Sequence, residues 1–208
     1  MSAISPDQVI KAYSAYAPFY DQLFGAVLGP GRRALTAAVC RETPGRLLEV
    51  GVGTGLTLAG YPKETAVVGV DVSAEMLAIA RRRASKLQGR DIDLRLANGE
   101  HLDFPDSSFD CVALPYVISV TPKPEQLVRE VRRVCKPGGA IVIVNHFSGS
   151  RFWWLTEQLA KPLAGRIGFR SSFSYEREVL THDWRVEQVE SVNLFGLSKL
   201  VIVRNVGP

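Results

Sequence analysis

Along the chain, short runs of aliphatic and β-branched residues alternate with segments whose apolar positions recur every three or four residues. The runs Arg46–Val50, Ala66–Asp71, Ile92–Ala97, Phe109–Leu114 and Ala140–Val144 are rich in aliphatic and β-branched residues. That pattern predicts strands covered on both faces, as in a parallel sheet. Between them the spacing predicts helices. Ser73 is placed to cap one from Ala74 to about Lys86, with Glu75 in its first turn. Another begins near Pro124, a residue suited to a first turn, and carries Leu127, Val128, Val131 and Val134 on one face. Lys136-Pro137-Gly138-Gly139 is expected to end it before the next strand. Two later strand-like runs, Arg185–Asn193 and Ser198–Arg204, are joined by a link too short for a crossover helix, so they are expected to pair antiparallel. Together these elements predict a doubly wound α/β domain of five parallel strands closed by a hairpin.

The first predicted strand runs directly into Glu49-Val50-Gly51-Val52-Gly53-Thr54-Gly55. Glycines let the backbone turn sharply and let a ligand approach where a Cβ would stand. A dinucleotide fingerprint, G-x-G-x-x-G, would need its third glycine where this chain has Leu56. The acid Glu49 is also out of place beside a pyrophosphate. It suits a ligand carrying positive charge, such as the amino group and sulfonium of S-adenosylmethionine. Asp71 ends the second strand, where a carboxylate can accept bonds from both hydroxyls of a ribose. Taken singly, these are a tight turn and a surface acid; together, after two predicted strands, they point to a nucleoside ligand. Asn98-Gly99-Glu100-His101 follows the third strand and can offer polar groups to an adenine edge, although His101 can equally contribute its backbone alone. Val112–Tyr116 leads to the top of the fourth strand, where the reacting group would lie.

Composition narrows the class. The 208 residues, 46% hydrophobic and 22% charged, suit one globular domain with a sizeable core. Met1–Pro6 lacks the features of a signal peptide, and no apolar run approaches the roughly 20 residues of a spanning helix. Cys40, Cys111 and Cys135 are odd in number and sit among apolar neighbours, so reduced core thiols and a cytoplasmic setting are expected. No Cys/His cluster has metal-ligand spacing, so no metal is expected. The net charge of +4 permits contact with an anionic surface, and no nucleic-acid motif accompanies it.

The blocks Leu47–Thr57, Gly69–Ala84 and Phe104–Phe109 resemble the class I S-adenosylmethionine-dependent methyltransferases. Within that class they are similar to the quinone C-methyltransferases and to the bacterial phosphatidylethanolamine N-methyltransferases. The glycine loop with Leu56 and Tyr61-Pro62, and the stretch Ile141–Phe147, favour the phospholipid enzymes. The resemblance implies a Rossmann-like seven-stranded domain over residues 41–208, with residues 1–40 as an N-terminal helical lid that touches lipid. It implies stepwise methylation of phosphatidylethanolamine towards phosphatidylcholine, with S-adenosyl-L-homocysteine as the other product. A quinone-ring carbon or a small molecule is the alternative acceptor. Cofactor contacts are expected from Tyr20, Glu49, Gly51 and Gly53, from Asp71, Val72 and Met76, and from Asn98, Gly99, Glu100 and Pro115.

The lid would present Val9, Ile10, Tyr13, Tyr16, Tyr20, Leu23 and Phe24 at helical spacing, kinked at Pro18; a helix packed on the core has the same pattern. Arg151–Tyr175 joins Phe152, Trp153, Trp154, Phe169, Phe173 and Tyr175 to Arg151, Lys161, Arg166 and Arg170. Such a segment suits an anionic membrane surface, and equally an aromatic cap over the sheet. A peripheral position on the inner face of the membrane is therefore expected. For the chemistry, Tyr16, Tyr20 and Tyr116 are candidates for an aromatic wall around the amine. His146 is a candidate proton acceptor or a structural, phosphate-contacting residue.

Overall fold

The computed structural model describes residues 20–145, 184–193 and 197–207, with residues 20–26 described by their backbone only. Its elements are helix α1 (Tyr20–Glu42), β1 (Arg46–Val50), β2 (Ala66–Asp71), α2 (Ala74–Ala84), β3 (Ile92–Leu96), β4 (Phe109–Pro115), α3 (Pro124–Val134), β5 (Cys135–Asn145), β6 (Trp184–Val192) and β7 (Ser198–Asn205). All seven strands join one sheet in the order β3-β2-β1-β4-β5-β7-β6. β1 is flanked by β2 and β4, both parallel to it, so Glu49 lies beside Gly69 on one side and Ala113 on the other. The expected hairpin is present: β7 pairs antiparallel with both β5 and β6. The five parallel strands and the closing hairpin are therefore as the hydrophobic pattern predicts.

Alternation along the strands builds two cores. Leu48, Val50, Val70, Val112, Leu114, Ile141, Ile143, Val201 and Val203 face one side, under Leu127, Val128, Val131 and Val134 of α3. Leu47, Val67, Cys111, Ala113, Val142, Val144, Leu200 and Ile202 face the other, under Leu28, Leu35, Ala38 and Val39 of α1 and Leu77 of α2. Full burial of each aliphatic side chain contributes about 1.5–3 kcal/mol, so these two layers dominate the folding energy. Ser73 caps α2 as expected: its hydroxyl accepts from Met76 N at 3.2 Å. Cys111 and Cys135 are buried free thiols, and Cys40 is a half-buried one.

Three details differ from the sequence reading. The boundary expected at residue 40 falls inside α1, which from Leu28 onward is part of the core. α2 stops at Ala84, short of Lys86. Lys136–Gly139 does not separate α3 from the strand but is carried within β5 as an irregularity: Phe109 pairs with Cys135, and the next pair is Cys111 with Ala140. Gly138 takes φ +78° there, a conformation that suits glycine. Residues 1–19, including Val9, Ile10, Tyr13, Tyr16 and Pro18, lie outside the described residues, as do the side chains of Tyr20, Leu23 and Phe24.

The corner at Lys136–Gly139 is fastened from β7. Asn205, almost fully buried, donates its Nδ2 to the carbonyls of Arg132 at 2.9 Å and Cys135 at 2.8 Å. Asn205→Ala leaves both acceptors buried without this donor, and a loss of about 1–3 kcal/mol is expected. Urea unfolding checks it, with a lowered midpoint and an unchanged m-value.

Candidate functional site

The strand order reverses between β1 and β4, because β2 and β3 continue on one side and β5 on the other. At such a switch point the loops leaving the carboxyl ends of the strands part and leave a crevice. Here it is a cavity of about 360 Å³ lined by Gly51 and Gly53 after β1, Asp71 and Val72 at the end of β2, Asn98 to Glu100 after β3, and Pro115 and Tyr116 after β4. Met76 of α2 lines it as well. A second cavity, of about 30 Å³, is lined by Arg32, Glu49, Thr57 and Tyr116 and shares Gly51, Gly53 and Pro115 with the first.

The glycines divide the work. Gly51 has φ +75°, and its N–H and that of Val52 both donate to Val70 O, at 2.8 and 3.1 Å. Gly53 has φ +55°, and a Cβ there would meet nothing within 4 Å. Its N–H donates to Asp71 Oδ2 at 2.8 Å, while Asp71 Oδ1 accepts from Ser73 N at 2.9 Å. Each Asp71 oxygen thus holds a backbone N–H, and a carboxylate with about four acceptor positions retains capacity for a ligand. That capacity suits the hydroxyls of a ribose. Burial raises the Asp71 pKa, and the backbone N–H bonds from Ser73, Gly53 and Val72 oppose the rise. Gly55 serves packing instead. A Cβ there would press on Leu58 and Ala80, so its absence lets α2 close on the loop.

Glu49 is fully buried. Thr57 Oγ1 lies 2.6 and 2.8 Å from its two oxygens and donates its single proton between them. The Tyr61 hydroxyl, also buried, lies beside the same carboxylate. Desolvation pushes the Glu49 pKa up to about 7, opposed by Thr57, Tyr61 and the positive charge of Arg32. This is a group that gains from a cation placed next to it.

The other expected residues fall out unevenly. Glu100 lines the cleft, but its Oε1 accepts from Thr121 Oγ1 at 2.7 Å and Lys123 N at 2.8 Å, which ties the loop after β3 to the one before α3. Asn98 Oδ1 accepts from Glu100 N at 2.9 Å and shapes the same loop. A Cβ at Gly99 would press on Val50 and Leu127. His101 is exposed, with Gln126 Nε2 2.9 Å from its ring, and it is not among the residues lining the cleft. Tyr116 sits at φ +61° with a buried ring. Left-handed backbone at a residue other than glycine costs on the order of 1–3 kcal/mol and persists only where surroundings enforce it. Its hydroxyl lies 3.3 Å from Leu28 O and 3.0 Å from Asn193 Nδ2, so the oxygen end points into the fold. Tyr16, His146 and the Arg151–Tyr175 segment lie outside the described residues, and of Tyr20 only the backbone is described.

Sequence reasoning missed Arg32, Thr57, Thr121 and Asn193. Arg32 stands 5.8 Å from the Tyr116 ring centroid and lines the small cavity with Glu49. Its only sequence signal is a cation just after Pro30-Gly31, and Thr57 has none beyond lying eight residues after Glu49.

The raised Glu49 pKa has a stability consequence. Its folded value of about 7 exceeds the ordinary 4.5 of a solvated glutamate. The stabilisation is therefore complete below pH 4.5 and lost as pH rises through 7. Glu49→Gln removes this dependence. Relative to the parent chain it should gain stability between pH 5 and pH 8, on the order of 3 kcal/mol at most. Melting curves across that range check the slope; parallel curves for the two proteins would refute the assignment.

Residues 48–143 match the methyltransferase domain family. The chain is 42% identical over 186 residues to a phosphatidylethanolamine N-methyltransferase of Cereibacter sphaeroides, covering 88% of this chain and 90% of that one. It is 38% identical over 142 residues to a demethylmenaquinone methyltransferase of Thermus thermophilus, covering 64% and 63%. In fold it is similar to an S-adenosylmethionine-dependent methyltransferase of Thermotoga maritima described as a possible histamine N-methyltransferase, with TM-score 0.71, 21% identity and 95% and 99% coverage. With the glycine loop, its two acids and the seven-stranded sheet already in place, these likenesses make the chain a member of the S-adenosylmethionine-dependent methyltransferases.

Proposed function

We propose that this chain methylates the amine of phosphatidylethanolamine and its partly methylated intermediates, towards phosphatidylcholine, at or near an anionic membrane surface. The observation that carries the substrate is the 42% identity to a phosphatidylethanolamine N-methyltransferase along 88% of the chain. The likeness to a demethylmenaquinone methyltransferase covers less of the chain, 64%, and supports an acceptor of the quinone class as the second reading. Among the described residues no helix is long and apolar enough to cross a membrane. Contact with lipid in this reading belongs to the aromatic and basic stretch Arg151–Tyr175.

The cofactor's residues fit its chemistry. S-adenosylmethionine supplies a methyl group already activated by a sulfonium, so the protein has mainly to align the reactants and exclude water. Asp71 would hold the ribose hydroxyls with its remaining acceptor capacity, and Gly53 leaves the space a side chain would fill. Glu49 answers the positive charge of the amino-acid end, and Arg32 stands where its carboxylate can be met. Asn98, Gly99 and Glu100 form the base end through their backbone, with Val72, Met76 and Leu127 as apolar walls.

The acceptor amine is protonated in water and must shed that proton before it can attack. Desolvation against aromatic rings lowers an ammonium's pKa, and the same rings hold the methylated cation. In this reading Tyr16 and Tyr20 supply faces to the amine, and the Tyr116 ring backs the cleft with its hydroxyl turned away. His146 follows Asn145, the last residue of β5, and takes the proton directly or through water.

Labelled S-adenosylmethionine with vesicles of phosphatidylethanolamine and an anionic lipid should yield labelled mono- and dimethylated lipid. Label passing only to a demethylated quinone would replace this reading with the second. In the same assay His146→Ala should lower turnover by about 100-fold with little change in cofactor affinity. Asp71→Ala should weaken the cofactor by about 1–3 kcal/mol, read by calorimetry.

A further inference from the structure

We infer that Asn193 is a positioning residue for the cofactor cleft, acting through Tyr116. It lies at the turn after β6, far from the cleft in sequence and outside the glycine loop and the acids that mark the site. Its side-chain amide meets three elements at once: Gly31 N at 2.7 Å, Tyr116 Oη at 3.0 Å and Ser198 Oγ at 2.7 Å. The polarity of this node is determined. The Gly31 N–H can only donate, so the atom facing it is Oδ1, and Nδ2 donates to the two hydroxyls. Tyr116, accepting from Asn193, is left to donate to Leu28 O, 3.3 Å away.

The node exists because α1 runs through a proline. Pro30 has no N–H, and its ring crowds the preceding turn. The N–H of Gly31, next in line, goes to Asn193 instead. Gly31 must also lack a side chain, since a Cβ there would collide with Tyr116 Oη and stand 3.2 Å from Asn193 Oδ1. At the other end of the hydrogen bond, Tyr116 holds a left-handed backbone, its N–H on Val144 O at 2.7 Å, and lines both cavities. Asn193 is itself left-handed, at φ +67°, which asparagine tolerates better than most residues. One amide thus joins the helix break, the hairpin and the strained residue at the rim of the cleft, and fixes where the Tyr116 ring stands between them.

The inference rests on the cleft being the cofactor site, and affinity for S-adenosylhomocysteine, read by calorimetry without any acceptor, tests it. Asn193→Ala should weaken that affinity about tenfold, the scale of one buried hydrogen bond. Asn193→Asp keeps an acceptor for Gly31 and can receive protons from Tyr116 and Ser198, so it should restore most of the affinity. Ser198 also bonds the Tyr116 hydroxyl, so the control is Asn205→Ala, whose amide fastens β5 to the end of α3 away from Tyr116; it should lower the melting temperature and leave affinity unchanged. Tyr116→Phe should match Asn193→Ala, and the double variant should lose no more than either single one. Additive losses, equal losses in Asn205→Ala and Asn193→Ala, or parental affinity in Asn193→Ala would each overturn it. Should Asn193→Ala not fold, the contrast between Tyr116→Phe and Asn205→Ala decides by the same criterion. A parental chain that binds no S-adenosylhomocysteine would overturn the cofactor assignment, and this inference with it.

Discussion

The short bond from the Gly53 N–H to the Asp71 carboxylate is the joint on which the site depends. It connects a loop leaving β1 to the end of β2, two strands already held in register by Glu49 beside Gly69 and Val50 beside Val70. The same carboxylate also receives Ser73 N, the residue that caps α2. Loop, strand end and helix start are thereby fixed relative to one another by one side chain. A binding loop held this way needs little reordering when a ligand arrives, which conserves affinity that a mobile loop would lose.

Two acids lie close together and do different work because their surroundings differ. Asp71 is partly compensated by backbone N–H groups, which oppose but do not cancel the rise that burial causes. Glu49 has the hydroxyls of Thr57 and Tyr61 and a more distant guanidinium, and desolvation outweighs all three. The first is suited to accepting neutral hydroxyls, the second to answering a cation. The separation follows from strand direction: Asp71 ends β2 at the crevice, while Glu49 points from within β1 into the layer beneath α1 and α2.

Much of the fold and the cofactor cleft is legible in the sequence, for a physical reason. β1, β2, β4 and most of β5 are buried on both faces, so their hydrophobic runs have no competing explanation. The glycine loop can be read because its φ values and close approaches restrict it so strongly. What escapes are contacts set by tertiary geometry. Asn193, Arg32 and Thr57 are ordinary polar residues until α1 is laid over the sheet, and nothing local marks them. Lys136–Gly139 reads as a stop between elements, because proline and glycine punctuate helices and strands alike. Only the pairing of β4 with β5 shows it to be a kink inside one strand. Tyr116 is legible as a residue at the crevice but not in its orientation, which Leu28 and Asn193 determine from elsewhere in the chain.

The strand order carries a consequence for how the chain is assembled. β7 is placed between β5 and β6, so the hydrogen-bonding edge of β5 is completed by residues that follow long after it: Val144 pairs with Leu200. Until β7 arrives, β5 exposes an edge that is apolar on both faces, and the closing contacts join residues far apart in sequence, an entropy cost that must be spent first. Such an edge is a template for pairing with other chains. The interval between synthesis of β5 and of β7 is therefore the period in which this fold is most exposed to aggregation, and the one in which a chaperone would have the most to protect.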